Sequence, residues 1–184
     1  MKRLICFGDS ITARELFDNG TERLTPRLQR AFNEWKIINA GISGDNTRDA
    51  LNRLENDVLK YEPDVVIILF GANDAASHKL IAIEEYEANL IMIVRKIGHL
   101  KTILITPAPV DEARPRNRTN EVLLQYSEAV KRVALLTGSQ FIDLFSEMIK
   151  HPDYIRMLSD GLHFEESGYE LLSQLIIDKV NEIG

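Results

Sequence analysis

An α/β fold built on a parallel sheet is what this sequence predicts, on three observations. Short apolar runs alternate with stretches of helical period along the chain. One run, Asp64 to Phe70 (DVVIILF), is β-branched and apolar on both faces, as a strand covered by helices on both sides must be. No long linker, low-complexity stretch or internal repeat divides the 184 residues, so one domain over 1–184 is expected.

The elements follow in order. Arg3 to Phe7 reads as the first strand. Thr25 is placed to cap the first helix and Pro26 suits its first position, with Leu24, Leu28, Ala31, Phe32 and Trp35 as the apolar stripe. Lys36 to Asn39 is a short second strand, and Gly41-Ile42-Ser43-Gly44 turns the chain into a helix that starts near Asp45 to Thr47. Leu51, Leu54, Val58 and Leu59 share one face of it, and Pro63 closes the connection to the third strand, Asp64 to Phe70. Glu84 to Ile97 is helical, with Tyr86, Leu90, Ile93, Val94 and Ile97 inward. Thr102 to Thr106 is the fourth strand, stopped by Pro107 and Pro109. Thr119 or Asn120 caps the next helix and Gly138 ends it. Gln140 to Leu144 is the fifth strand, and a last helix runs from about Glu166 to Ile183. Crossovers between parallel strands are expected to be right-handed.

Composition narrows the functional class. Lys and Arg number 22 against 28 Asp and Glu, a net charge of −6, which disfavours a nucleic-acid partner. No run is long enough to span a bilayer, and Gly8-Asp9 ends the first apolar run too early for a signal-peptide core. The one cysteine, Cys6, forms no internal disulfide and reads as a small buried hydrophobe. A cytoplasmic location is the expectation.

In an open parallel sheet, sites form outside the carboxyl ends of the strands. The residues with chemical potential all fall there. Ser10 follows the first strand, Gly44 the second, and Asn73 and Asp74 the third; Asp160 and His163 lie after the fifth. A serine hydroxyl is a poor nucleophile until a base takes its proton, and the base needs an orienting group. His163 and Asp160 supply both. The backbone N–H groups of Ser10 and Gly44 and the side-chain amide of Asn73 supply donors for the oxyanion of an acyl transfer. Asp9 is expected to hold the turn that presents Ser10. Asp160 and His163 form too small a set for a metal site, and His78, His99 and His151 add no ligand spacing, so no metal is expected.

These residues carry a family resemblance. Gly8-Asp9-Ser10, Asn39-Ala40-Gly41-Ile42-Ser43-Gly44, Gly71-Ala72-Asn73-Asp74 and Asp160-Gly161-Leu162-His163 stand in the order of the four blocks of the SGNH, or GDSL esterase/lipase, superfamily. Ile11 stands where the name-giving leucine of the first block would be. The chain resembles the compact branch of isoamyl acetate-hydrolysing esterases and lysophospholipase/thioesterase-like enzymes. The resemblance implies a flavodoxin-like three-layer α/β/α sandwich with strand order 2-1-3-4-5 and hydrolysis of carboxylic esters without a cofactor.

Two readings from other classes compete with this one. A flavodoxin-like phosphate- or nucleotide-binding module would use the Gly41–Gly44 turn, but the chain has no Gly-x-Gly-x-x-Gly and no Gly-Lys-Ser/Thr. A non-catalytic carbohydrate-binding scaffold would leave the Ser, Gly, Asn and His set without use. The α/β-hydrolase arrangement is disfavoured because its nucleophile sits in a Gly-x-Ser-x-Gly elbow and its acid well before the histidine. The substrate is expected to be a small-molecule ester, bound by Ile11, Ile42, Asp74, Ala75 and Phe164 together with the Asp111 to Arg118 loop. That loop reads as a solvated surface segment, with a lid or head-group contact as its other reading.

Overall fold

The computed structural model describes residues 1–114 and 117–183. Five parallel strands form one sheet in the order β2-β1-β3-β4-β5. They are β1 (Arg3–Gly8), β2 (Lys36–Gly41), β3 (Val65–Leu69), β4 (Thr102–Ile105) and β5 (Gln140–Ile142). The helices are α1 (Leu24–Ala31), α2 (Thr47–Asp57), α3 (Ile83–Ile97), α4 (Asn120–Thr137), α5 (Leu144–Ile149) and α6 (Glu166–Ile183). This is the architecture the sequence predicts.

Alternation along the strands makes the layers, because successive side chains point to opposite faces of a sheet. Ile5, Phe7, Val66, Ile68 and Leu104 face one side, under α2, α3 and α4. Leu4, Cys6, Val65, Ile67 and Ile103 face the other, under α1, α5 and α6. All five residues of β3 are buried, which is why its sequence is apolar without alternation.

The register aligns the strand ends. Gly8 of β1 pairs with Gly41 of β2 on one side and Leu69 of β3 on the other. The segments that follow these three strands therefore leave the sheet side by side. Gly41 permits this: a Cβ there would meet the backbone of Thr12 and Ala13 at 2.5–2.7 Å.

Several boundaries differ from the sequence expectation. Arg23, not Thr25, is the residue before α1, and Thr25 lies inside the helix with its hydroxyl donated to Glu15. Within the expected stripe, Ala31 is exposed and Trp35 is only half-buried, with Lys2 over its ring. β2 continues to Gly41, and β3 starts at Val65 because the Asp64 carboxylate turns back to accept the Arg3 N–H at 2.7 Å. β5 stops at Ile142: Asp143 caps α5 by accepting the Ser146 N–H at 3.1 Å, so Leu144 opens a helix instead of closing a strand. At the other helix the structure selects Thr119 as the cap of α4, accepting from Val122 N–H.

Candidate active site

The site is built from the segment after β1. The Asp9 carbonyl accepts from Thr12 and Ala13 N–H at 3.1 and 3.0 Å, which makes a tight turn with Ser10 at its apex. The Asp9 side chain accepts from Ile11 N–H at 3.0 Å, closing the turn from inside. Asp9 is 3% exposed, and burial pushes its carboxyl up from 3.8 to about 6.

The turn is anchored from both faces of the sheet. Arg53 of α2 donates to the Gly8 carbonyl at 3.0 Å and the Ala40 carbonyl at 2.8 Å, with its Nε on Asp45 at 2.6 Å. Its guanidinium stacks over Phe7, 4.5 Å from the ring centroid. On the opposite face Arg23 donates to the Ser10 carbonyl at 2.8 Å.

His163 and Asp160 approach from the loop before α6. Leu158 and Phe164 form an isolated antiparallel bridge, and Ser159 N–H donates to the His163 carbonyl at 2.8 Å. Gly161, at φ +89°, makes the reversal between them. The Asp160 Oδ1 accepts the N–H groups of Leu162 and His163 at 3.0 and 2.8 Å. Its Oδ2 lies 2.8 Å from His163 Nδ1, and His163 Nε2 lies 3.0 Å from Ser10 Oγ. Partial burial works to raise the Asp160 carboxyl, but the hydrogen bonds from His163 and Leu162 outweigh it and hold it well below the usual carboxylate range. An ionised carboxylate, an imidazole and a hydroxyl thus stand in one continuous chain.

Gly44 adopts φ +87°, in the left-handed region that favours glycine. Its carbonyl accepts from Lys79 Nζ at 3.0 Å, tying this loop to the one after β3. Asn73 donates through Nδ2 to the Asp45 carbonyl at 2.9 Å, and the same nitrogen faces Asp9 Oδ2 at 3.5 Å. The loops carrying Ser10, Gly44 and Asn73 are therefore cross-linked to one another.

Asp74 behaves differently from its expected part in substrate binding. It is fully buried, and its Oδ1 accepts the Thr47 N–H and hydroxyl at 3.0 and 2.6 Å. It faces the start of α2, and burial pushes its carboxyl up to about 6. Ile11 and Ala75 are also buried, Ile42 is half exposed, and Phe164 is buried with its ring against Tyr169. His78, His99 and His151 are all exposed. Asp111 is buried and its N–H donates to the Gly161 carbonyl at 2.9 Å, so the Asp111 to Arg118 loop starts as packed structure; Pro115 and Arg116 lie outside the described residues.

A cavity of about 280 Å³ opens at Ser10 and His163, walled by Phe17, Arg23, Ser43 and Phe164. A larger one of about 560 Å³, lined by Ala75, Leu80, Arg118 and Val122, is formed by the segments after β3 and before α4. A cavity of about 410 Å³ between α3 and α4 sits at the opposite end, away from this chemistry. Sequence reasoning missed Phe17 and Arg23 because the segment from Thr12 to Arg23 has neither helical nor strand period to mark its inward residues. No group of three or more metal-ligating side chains occurs among the described residues.

The sequence model of the GDSL-like Lipase/Acylhydrolase family matches residues 6–171. The chain is 35% identical over 195 residues to isoamyl acetate-hydrolyzing esterase 1 homolog of Homo sapiens, spanning 92% of this chain and 77% of that protein. It is 31% identical over 160 residues to an acetylxylan esterase of Geobacillus stearothermophilus, spanning 79% of this chain and 72% of that one. Among solved structures it matches a lipase/acylhydrolase from Enterococcus faecalis at TM-score 0.92 and 36% identity, over 99% of this chain and 96% of that one. It also matches crystal structures of the Geobacillus acetylxylan esterase, at TM-score 0.77, 28% identity and coverage of 100% and 94%. Two more structures of that enzyme are catalytic mutants, one with a serine and one with a histidine replaced by alanine.

Proposed function

This chain belongs to the GDSL-like lipase/acylhydrolase family and is a carboxylic ester hydrolase, and on that premise we propose that it cleaves esters of small or short-chain acyl groups with Ser10 as nucleophile. The observation that carries this reading is the chain Ser10 Oγ, His163 Nε2, His163 Nδ1, Asp160 Oδ2, with links of 3.0 and 2.8 Å. In that order, His163 takes the Ser10 proton as the oxygen attacks the ester carbonyl. Asp160 fixes the imidazole tautomer and stabilises the imidazolium. The oxyanion is held by Ser10 N–H, Gly44 N–H and the Asn73 amide. Of the Asn73 contacts, the one at 3.5 Å to Asp9 is at the limit of a hydrogen bond, so the amide hydrogen on that side is the one available to an oxyanion. Collapse expels the alcohol, which receives its proton from His163. Water then attacks the acyl-serine by the same route and releases the acid.

Three further points support the reading. In the Geobacillus acetylxylan esterase, the serine and histidine replacements are both catalytic mutants. The relatives are described as acting on acetate esters, a small acyl group. The cavity at Ser10, at about 280 Å³, lies at the lower edge of small-ligand pockets, as a small acyl group requires. A cytoplasmic location belongs to the same reading, on the argument from the lone buried thiol of Cys6.

The test is hydrolysis of p-nitrophenyl esters from acetate to palmitate by wild type and Ser10→Ala in parallel. Short esters should turn over fastest, and Ser10→Ala should lose about 10⁴-fold or more in kcat while keeping its fold. Retention of about one per cent of wild-type turnover would remove Ser10 from the mechanism. A preference for palmitate would assign the acyl chain to the larger cavity beside Leu80 and Val122 and favour a long-chain acylhydrolase instead.

A further inference from the structure

The backbone carbonyls of the nucleophile turn are held one after another, and two of the four are held by a pair of side chains with no part in the reaction described above. Gly8 C=O accepts from Arg53 and Asp9 C=O from the turn itself. Ser10 C=O accepts from Arg23 Nη2 at 2.8 Å, and Ile11 C=O accepts from the Tyr169 hydroxyl at 2.8 Å. Arg23 Nε in turn donates to that same hydroxyl at 2.7 Å, and Arg23 Nη2 contacts it as well.

We propose that Arg23 is a positioning residue for Ser10, a buried guanidinium that, with Tyr169, locks the peptide following the nucleophile so that the hydroxyl and its own N–H keep their geometry through acylation and deacylation. The proposal rests on Ser10 being the nucleophile. The peptide between Ser10 and Ile11 is gripped at both ends. Its oxygen lies on the Arg23 cation, and its N–H lies on the Asp9 carboxylate. A peptide between a buried cation and a buried anion cannot rotate without breaking a charge-assisted bond at each end. Rotation of that peptide changes the ψ angle of Ser10. Because the turn is closed by the Asp9 carbonyl on Thr12 and Ala13 N–H, the change must be taken up by the neighbouring torsions, which moves the Ser10 Cα and with it Oγ and the N–H.

Arg23 is itself rigidly placed. It is 7% exposed, it precedes α1, and its backbone N–H donates to the Glu15 carbonyl at 2.8 Å. Its guanidinium stacks on Tyr169 at 4.9 Å and on Phe17 at 5.7 Å from the ring centroids. A buried charge is costly unless paired and hydrogen-bonded. An anchor for α1 alone would be met by an apolar side chain, whereas here the donors are spent on the Ser10 carbonyl and on the hydroxyl that holds Ile11. The side chain also lines the cavity that opens at Ser10, so the space it fills is continuous with solvent.

The experiment compares Arg23→Ala, Arg23→Lys, Tyr169→Phe and Ser10→Ala with wild type on p-nitrophenyl acetate, and measures the rate of inactivation by a p-nitrophenyl phosphonate. Thermal unfolding and circular dichroism establish that each variant is folded. Arg23→Ala should lose about 10- to 100-fold in kcat, the size of a lost buried bond to a charged group, with KM within about threefold. Phosphonate inactivation should slow in parallel, because it reads Ser10 without reading substrate fit. Millimolar methylguanidinium, which can enter through the cavity, should restore part of kcat. Arg23→Lys should fall between, since one ammonium donor cannot span both acceptors as the planar fork does. Tyr169→Phe keeps the ring packing and should lose about three- to tenfold in kcat, and it decides the matter if the Arg23 variants do not fold.

A folded Arg23→Ala with kcat and phosphonate rate within twofold of wild type would overturn the proposal. So would a loss confined to KM, which would make Arg23 a substrate contact. Failure of methylguanidinium to raise kcat in a folded variant would also count against it. Activity surviving in Ser10→Ala would instead overturn the nucleophile assignment on which the proposal stands, whatever the Arg23 variants do.

Discussion

At the scale of single residues, the site is a set of donors and acceptors whose partners are mostly fixed before substrate arrives. Asn73 is the clearest case. Its amide is held by the Asp45 carbonyl and faces Asp9, so its direction is set by two loops at once. Electrostatic stabilisation of this kind needs no reorganisation when charge develops. Asn73→Ala should therefore lower kcat on the order of 10²–10³-fold with little change in KM, read by steady-state kinetics on p-nitrophenyl acetate. An effect confined to KM would exclude the oxyanion role. Much of this was legible in the residues themselves: Ser10, Gly44, Asn73, Asp160 and His163 all emerged from their places after apolar runs. Asp74 emerged from the same kind of place, but its inward turn did not, because nothing local distinguishes a strand-end carboxylate that faces a pocket from one that turns inward to accept from Thr47.

At the scale of elements, caps set where the site segments begin. The loop carrying Gly44 runs directly into α2, whose cap is Asn46. Its side chain accepts the N–H groups of Arg48 and Asp49, and the Asp49 carboxylate returns a bond to the Asn46 N–H. Asn46→Ala should cost about 1 kcal/mol of stability, measured by urea unfolding. It should also lower kcat, because Gly44 sits two residues before this cap. Periodicity exposed the long helices and the two-face-buried strands, because burial repeats along them. It failed for α5, which has six residues and too short a run to show a period, and whose start depends on Asp143 turning to Ser146. It also misplaced the cap of α1, since a threonine before proline has the composition of a cap while Arg23 occupies that place for its contacts with Ser10 and Tyr169.

At the scale of the whole molecule, burial of Asp9 and Asp74 beneath the site affects stability as well as geometry. Burial pushes both carboxyls from 3.8 up to about 6. Folding therefore favours their protonated forms, and between those values the folded chain binds more protons than the unfolded one. Their contribution to stability falls as pH rises through that window. Asp45 is raised in the same sense, again by burial. Asp160 works oppositely, but its contribution is present above its ordinary value of 3.8 and is lost only in more acid solution. Urea midpoints at pH 5 and pH 7.5 should show a smaller pH dependence in Asp74→Asn than in wild type, with the variant gaining stability at the higher pH. Asparagine keeps an oxygen for Thr47, so the change removes charge rather than the cap. Equal pH dependence in the two proteins would show that Asp74 ionises without cost.

The sequence by itself determined the class of fold, the order of the strands through family resemblance, and that Ser10, Gly44 and Asn73 follow β1, β2 and β3 while Asp160 and His163 stand in the loop before α6. Those properties follow from local patterns: apolar period, turn glycines and polar residues at strand ends. Only the tertiary structure decided which buried charges hold the site together. Arg23 reaches Ser10 across 13 positions and Tyr169 across 146, while Asp74 meets Thr47 across 27. Such contacts depend on how the layers close over the sheet, and a side chain's distant partner leaves no periodic trace in the residues around it.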